Sequence, residues 1–426
     1  MSECTSTIKA GAVGALAATA TFAIFTLAVE SAKADRWSRS GGVHVAAWER
    51  HDSRQAARDW EANPQRGYPT LSRANIAPLK VAIKRYAAIV KQGGWQTIPM
   101  VQLEPGHRSQ AVALLRRRLE LTGDLASGSS RPHRFDAYVE AGVRHFQIRH
   151  GLTPTGVPSK STLLALNVPA QARLRQLQTN LSRLNKLSKS AAKKYVLVNI
   201  PAAQIEAVQQ DQVVSRHAAV VGKLDRRTPL LRSRIHEINF NPYWHVPASI
   251  VRKDLVPKAR QYARLGKDVL GTYRIDAYDG RGRKLDPAKI NWFSKSVYGY
   301  RYRQQPWKDN SMGFVKINFH NKFSVYMHDT PSKSLFGRNF RAHSSGCVRV
   351  QNVQQLVSWL LGSNGDWNTG RVAQMKETGE RKNVRLKQRV PVYFAYITAW
   401  ATQDGLIHFR RDLYRRDGVG VMASAY

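Results

Sequence analysis

Cysteine is almost missing from this chain. Its 426 residues contain two, Cys4 and Cys347, and Cys4 precedes the first apolar run, where it is badly placed for lipid attachment at a cleavage site. A thiol left alone at Cys347 excludes an intramolecular disulfide and a four-cysteine zinc site. Carboxylates are also scarce: 29 Asp and Glu stand against 67 Lys and Arg, a formal net charge of +38. Beyond residue 29 no run is long and apolar enough to span a bilayer. The 13 histidines include no close HxH or HExxH spacing, which argues against a metal hydrolase. No metal and no cofactor is expected.

What is present begins with a leader. Lys9 precedes an uncharged, mostly apolar run over residues 10–29, followed by Glu30-Ser-Ala-Lys-Ala34. Small residues at Ala32 and Ala34 give the layout of a secretory signal with its cleavage site. The run is also long enough to stay as a membrane anchor, so residues 1–34 are expected to be signal peptide or anchor. Either places the protein in the periplasm or cell envelope. The leader holds Lys9, Lys33, Glu3 and Glu30, so its removal leaves the net charge unchanged. Such a field favours polyanions. Export, and the spread of basic residues from Arg36 to Arg416 rather than in one stripe, argue against nucleic acid and for retention at the anionic cell envelope.

The pattern further along predicts an α+β multidomain protein, in which a small helical domain precedes a mixed, β-rich domain of barrel or sandwich form. Residues 35–100 read as a flexible lead and a scaffold helix, with Ile76, Leu79, Ala82, Ile83, Tyr86, Ala87 and Val90 at helical spacing before Gly93-Gly94. Residues 101–168 form a helical unit. Val112, Leu115 and Leu119 share one helix face, Val139, Val143, Phe146 and Gln147 another, and a short helix closes the unit at 161–166. A linker helix follows within 169–193. From 194 the period becomes that of strands, predicted at 195–200, 213–221 and 235–240. A hairpin is expected from 314–319 and 323–328 around His320-Asn321, and another from 392–400 and 406–409 about Asp404-Gly405. A helix is expected over 351–361. Residues 258–312 are polar, basic and weakly periodic, and read as an insertion that could cap a site. The β-rich domain would then span 194–415, with a tail at 416–426.

The chemistry concentrates around Arg341-Ala-His-Ser-Ser-Gly-Cys-Val-Arg349, with His328 upstream in Tyr326-Met-His-Asp-Thr-Pro331. Gly346 allows a tight turn that presents the thiol, and the Gly346 and Cys347 amides could form an oxyanion pocket. Arg349, the helix beyond it and His328 as a base would lower the thiol pKa from ~8.5 by about a unit or more. Arg349 can also bind a substrate carboxylate bidentately. The competing readings are a buried, inert Cys347 and an ordinary surface arginine at 349.

Two resemblances attach to these residues. Gly106, Leu115 with Leu119, Phe135-Asp136, Val143 with Phe146-Gln147, Gly151-Leu152, Gly156, and Thr162 with Leu166 make the helical unit resemble the small peptidoglycan-binding domain found beside many cell-wall enzymes. A generic three-helix packing unit is the alternative. His328 with His343-Ser-Ser-Gly-Cys-Val-Arg349 resembles the active-site signature of the L,D-transpeptidases of YkuD type. The likeness extends to Asn241-Pro-Tyr-Trp244, Ser249-Ile250, Gly313 with Val315-Lys316, His328-Asp-Thr-Pro331, Leu335-Phe336 and Thr398-Ala-Trp400. The family more often has His before Gly-Cys. Ser345 fills that place here, as in the larger periplasmic members with an inserted cap, and His343 is given no such role.

The resemblance implies Cys347 as nucleophile and His328 as its base. It also implies an oxyanion pocket of Gly346 and Cys347 amides shaped by Ser344 and Ser345, and Arg349 on the substrate. The implied substrate is a peptidoglycan stem tetrapeptide, attacked at its third residue with loss of D-Ala, the acyl group passing to an amine. Hydrolysis on the same site and a non-catalytic wall-binding role stay open as alternatives.

Overall fold

The computed structural model describes residues 67–128, 131–420 and 422–424. The expected signal or anchor at 1–34, the lead to residue 66 and the very end of the tail lie outside them. Among the described residues no helix is long and apolar enough to cross a membrane.

The chain enters through α1 (Ile76–Lys91), which buries Leu79, Ala82, Tyr86 and Ile89 at three- and four-residue spacing. It packs against α5 (Ala170–Ser188), the expected linker helix. Between them lie α2 (Gln110–Leu121), α3 (Ala137–His150) and α4 (Lys160–Leu166). Each has a polar N-cap: Ser109, Asp136 and Ser159 accept from the amides of Val112, Val139 and Thr162. Their shared core contains Val112, Leu115, Leu119, Val143, Phe146 and Leu166. Gln147 belongs to this buried face for a polar reason. Its side chain accepts from the Gly156 amide and donates to the Val157 carbonyl, both at 2.9 Å, and so fixes the turn before α4.

The second half is a mixed sheet closed on itself. Its strands are β1 (Lys194–Asn199), β2 (Gln204–Gln209), β3 (Gln212–Gly222), β4 (Leu231–Phe240), β8 (Val315–Phe319), β9 (Met327–His328), β10 (Ala342–Ser344), β11 (Val348–Val350) and β12 (Lys382–Ala395). The neighbour order is β10-β3-β11-β9-β8-β4-β12-β1-β2, and pairing of β2 with β3 closes the ring. The predicted β-rich domain is therefore a barrel. Its core holds Val196, Ile238, Phe240, Ile317, Met327, Val348, Val350 and Phe394.

Several local expectations change. Strand β2 was missed because Gln204, Glu206 and Gln209 interrupt its apolar pattern. The predicted hairpin strand at 323–328 shrinks to Met327–His328, since Asn321 ties residues 323 and 325 into a turn. The predicted strand at 392–400 is two strands. It breaks at Tyr396–Thr398, where Asn199 and Asn180 take the Ile397 and Thr398 amides, and β13 (Ala399–Ala401) then pairs with β14 (Ile407–Phe409).

Residues near 258–312, expected as a weakly periodic insertion, have regular structure of their own. They belong to a folded lobe with its own sheet, in order β5 (Trp244–His245), β7 (Arg301–Gln304), β6 (Ile275–Tyr278). Its helix runs from α6 (Ala248–Ile250) through a π-turn (Val251–Leu255) into α7 (Val256–Arg264), and α8 (Val269–Tyr273) follows. Val251, Val256, Leu270, Trp292, Val297 and Tyr302 form a separate core that starts upstream of residue 258. Two helices complete the barrel side, α9 (Val353–Leu360) and α10 (Thr369–Thr378).

Candidate active site

Alternation along three adjacent strands sets the site. Val315 and Ile317, Met327, and Val348 and Val350 point into the barrel core. The intervening residues face the other way. Lys316 stands opposite His328, and His328 opposite Arg349, so three nitrogen-bearing side chains line one row across β8, β9 and β11. Cys347 immediately precedes β11 and is half-buried.

The turn bearing Cys347 is braced from within and behind. Gly346 has φ of 118°, open only to glycine without strain. Ser344 Oγ donates to the Cys347 carbonyl (2.5 Å) and accepts from the Gly346 amide (3.1 Å). The Gly346 amide, expected in the oxyanion pocket, is thus already engaged. The Cys347 amide has no hydrogen bond among the described residues. Behind the turn, Thr228 Oγ1 donates to the Gly346 carbonyl (2.9 Å) and accepts from the Gly222 amide (2.8 Å). Tyr414 bridges Gly222 and Thr228 through its hydroxyl.

His328 is buried, and its Nδ1 lies 2.5 Å from the Asp329 carbonyl. A carbonyl can only accept, so the proton sits on Nδ1 and Nε2 carries the lone pair. Burial first, then Arg349 and Lys316, push the imidazole down to about 3, while the Asp329 and Met312 carbonyls oppose them. Asp329 is itself fixed, accepting from the Phe314 amide (3.2 Å) and pairing with Lys333. Gly313, at φ 59°, leaves the room that the Asp329 side chain fills.

The thiol differs from expectation. Burial raises its pKa above the ordinary value, and Tyr326, Lys316 and Arg349 only partly counter this. Helix α9 begins at Val353, not near 351, and its Asn352 cap turns away through a left-handed φ of 46°. The helix terminus is therefore set back from the thiol. Arg349 is half-buried with its Nε unpaired, and burial lowers its pKa.

The remaining expected residues separate. Ser345 is exposed, and its Oγ accepts from Arg226 Nη1 (2.9 Å), which also pairs with Asp254 of the lobe. His343, given no role at the site, has its Nε2 3.1 Å from the Phe340 carbonyl. Arg341 is buried against the Ala202 carbonyl (3.0 Å) and serves the loop.

Sequence reasoning missed Tyr326, Lys316, Thr228 and Arg226. Tyr326 acts on the thiol and its hydroxyl accepts from Trp244 Nε1 (3.2 Å), and Lys316 Nζ lies 4.6 Å from the Tyr326 ring centre. Strand alternation could have found two of them: Lys316 and Tyr326 share the outward phase of His328. Among the described residues no group of three or more His, Cys, Asp or Glu is placed to hold a metal ion.

Residues 193–384 match the family described as "L,D-transpeptidase catalytic domain", and residues 108–166 match that described as "Putative peptidoglycan binding domain". The chain is 31% identical over 223 residues to a "Putative L,D-transpeptidase" of Haemophilus influenzae, covering 52% of this chain and 44% of that protein. It thus spans less than half the length of this curated relative. Among solved structures, it is similar to an L,D-transpeptidase from Xylanimonas cellulosilytica, with 15% identity over 70% of this chain and 99% of that one, at a TM-score of 0.24. Another, from Stackebrandtia nassauensis, has 13% identity over 70% of this chain and 96% of that one, at a TM-score of 0.28.

Proposed function

We propose, because residues 193–384 match the L,D-transpeptidase catalytic-domain family and residues 108–166 a peptidoglycan-binding family, that the chain is a cysteine acyltransferase of the cell envelope acting on peptidoglycan stem peptides. The observation that carries this reading is the placement of a half-buried thiol, a neutral imidazole and a guanidinium with its Nε unpaired on one barrel face.

The resting pair is neutral. His328, pushed down to about 3, is neutral at ordinary pH, and because free transfer from a raised thiol to it is uphill, the proton moves only as the Sγ–carbonyl bond forms. Cys347 transfers its thiol proton to Nε2 as Sγ attacks the carbonyl of the third stem residue. The oxyanion is held by the Cys347 amide, presented by the Ser344 brace. Collapse breaks the peptide bond, and the His328 proton passes to the departing amine of D-Ala. An incoming amine then attacks the thioester, gives a proton back to His328, and the thiol is restored. Arg349, with Lys316 on the far side of His328 in the same row, binds a stem carboxylate in this reading.

The lobe serves as a cap. Trp244 reaches Tyr326, and Asp254 reaches the Ser345 edge through Arg226, so the lobe is tied to both sides of the Cys347 turn. Such a cap limits water as the competing acceptor.

Mass spectrometry of muropeptides after incubation with the enzyme tests the assignment. The expected product is a 3–3 linked dimer or a protein-linked tripeptide, together with free D-Ala. Free tripeptide alone would assign the site to hydrolysis, and no change in the muropeptides would end the proposal.

A further inference from the structure

A second cluster of charged groups lies on the outer barrel wall. On β4, Arg232 stands opposite Tyr393 and Arg234 opposite Pro391 of β12. Val390 and Val392 face the core, so Arg389 shares the outer face with Pro391. With Ser190, Ser233 and His320 these residues line a groove of about 550 Å³. The candidate active site is elsewhere: Lys316 stands opposite Asn239, five residues further along β4 than Arg234 and so about 17 Å away along the strand.

The groove is built to hold negative charge. Arg232 is already oriented, with Nη1 donating to Ser190 Oγ (2.7 Å) and Nη2 to the Ser190 carbonyl (2.9 Å). Its guanidinium lies 5.2 Å from the Tyr393 ring centre. Arg234 and Arg389 are exposed and make no ion pair among the described residues. No carboxylate lines the groove among those residues. Next to it, His236 and His320 stack at 4.2 Å, and His236 Nδ1 is buried without a hydrogen-bond partner. Cationic groups gathered without a counter-ion repel one another, and an oxyanion relieves that repulsion.

Three guanidinium forks offer more donors than the two oxygens of a carboxylate can accept, whereas a phosphate accepts from several directions and carries more charge. We propose that this groove is a binding site for a phosphate-bearing ligand, gripped by Arg234 and Arg389 and oriented by Arg232.

Calorimetric titration of the full chain with pyrophosphate tests it, beside the double variant R234Q/R389Q and a charge-matched control, R281Q/K289Q, made at exposed cations of the lobe. One pyrophosphate per chain is expected, with affinity reduced roughly tenfold or more in R234Q/R389Q and unchanged in the control. Both variants should melt as the parent does and turn over wall peptides normally. Absence of saturable binding, or equal loss in both double variants, overturns the site, because only the general field would then be acting. Vesicles of phosphatidylglycerol in phosphatidylcholine separate the two sources of phosphate. Weakened vesicle binding by R234Q/R389Q assigns the site to a lipid headgroup. Vesicle binding that is unchanged while pyrophosphate binding is lost assigns it to a soluble phosphate.

Discussion

Two sets of ionisable groups, Asp124 with Arg149 in the helical unit and half-buried Cys347 with buried His328 on the barrel, resolve desolvation in opposite ways. Burial opposes charge at all four groups. At the first pair, Arg149 Nε lies 2.6 Å from Asp124 Oδ1, and Thr122 and His145 add further hydrogen bonds. Asp124 is accordingly held well below the usual carboxylate range, and Arg149 is raised. At the second pair, the charged neighbours of His328 are the cations Arg349 and Lys316, so the imidazole falls to about 3 and stays neutral. The first pair is a clamp. Arg149 also donates to the Ile407 carbonyl (3.1 Å) and so ties α3 to β14. The second stays neutral. Burial alone therefore does not decide the charge of an ionisable group; the sign of the surrounding charge does.

Exchanging the consequences of the two pairs would break this comparison. Cys347→Ala should abolish turnover of wall tetrapeptides, a loss of at least about a thousandfold, with the urea midpoint little changed. Asp124→Ala should do the reverse. It strands Arg149 in the interior and should cost about 3–5 kcal/mol in urea unfolding, with turnover per folded molecule retained. Replacing both Asp124 and Arg149 by apolar residues should cost less than the single change. A C347A variant that unfolds, or a D124A variant that folds normally but is inactive, would reverse the assignments.

Acid and base sharpen the contrast. The unfolded chain takes up protons on histidine below about 6.5, but folded His328 stays neutral to about 3 and His217 to about 4. Their stabilisation is thus complete above about 6.5 and is lost as pH falls toward those lower values. Asp124 gives way only in stronger acid. Reactivity runs the other way. With the thiol raised and the imidazole neutral, alkylation of Cys347 should climb about tenfold per pH unit through pH 8, with no plateau in the acid range. A flat profile down to about pH 5 would show a preformed thiolate–imidazolium pair.

The fold was legible where apolar period and turn chemistry agreed. Helices α1 to α5 and strands β1, β3 and β4 announce themselves by spacing, and Gly346 by its place beside the only thiol beyond the leader. Strand β2 did not, because its ends are polar and its pairing with β3 is supplied by barrel closure. The lobe did not, because its core residues are scattered among Arg and Lys over many turns. At the site, Cys347, His328 and Arg349 could be named from sequence, but not the sign of the thiol shift. That depends on how deeply the barrel buries it and on a helix terminus that is set back by two residues. Thr228 had no signal at all, since a threonine between strands reveals nothing of the carbonyl it will meet.

Thr228 gives the subtlest way to separate positioning from chemistry. Its hydroxyl bonds the Gly346 carbonyl and the Gly222 amide, both away from solvent, and touches no reacting atom. Thr228→Val keeps the shape but leaves both backbone groups unpaired, at a cost of about 1–3 kcal/mol. Because one of them belongs to the turn that carries Cys347, part of that loss should appear as a fall in kcat of about tenfold with KM little changed. Thr228→Ser, which restores the hydroxyl, should recover most of it. Loss of stability with kcat intact would instead mean that the turn is held by Ser344 alone, and that the Gly222–Thr228–Tyr414 brace serves only the barrel.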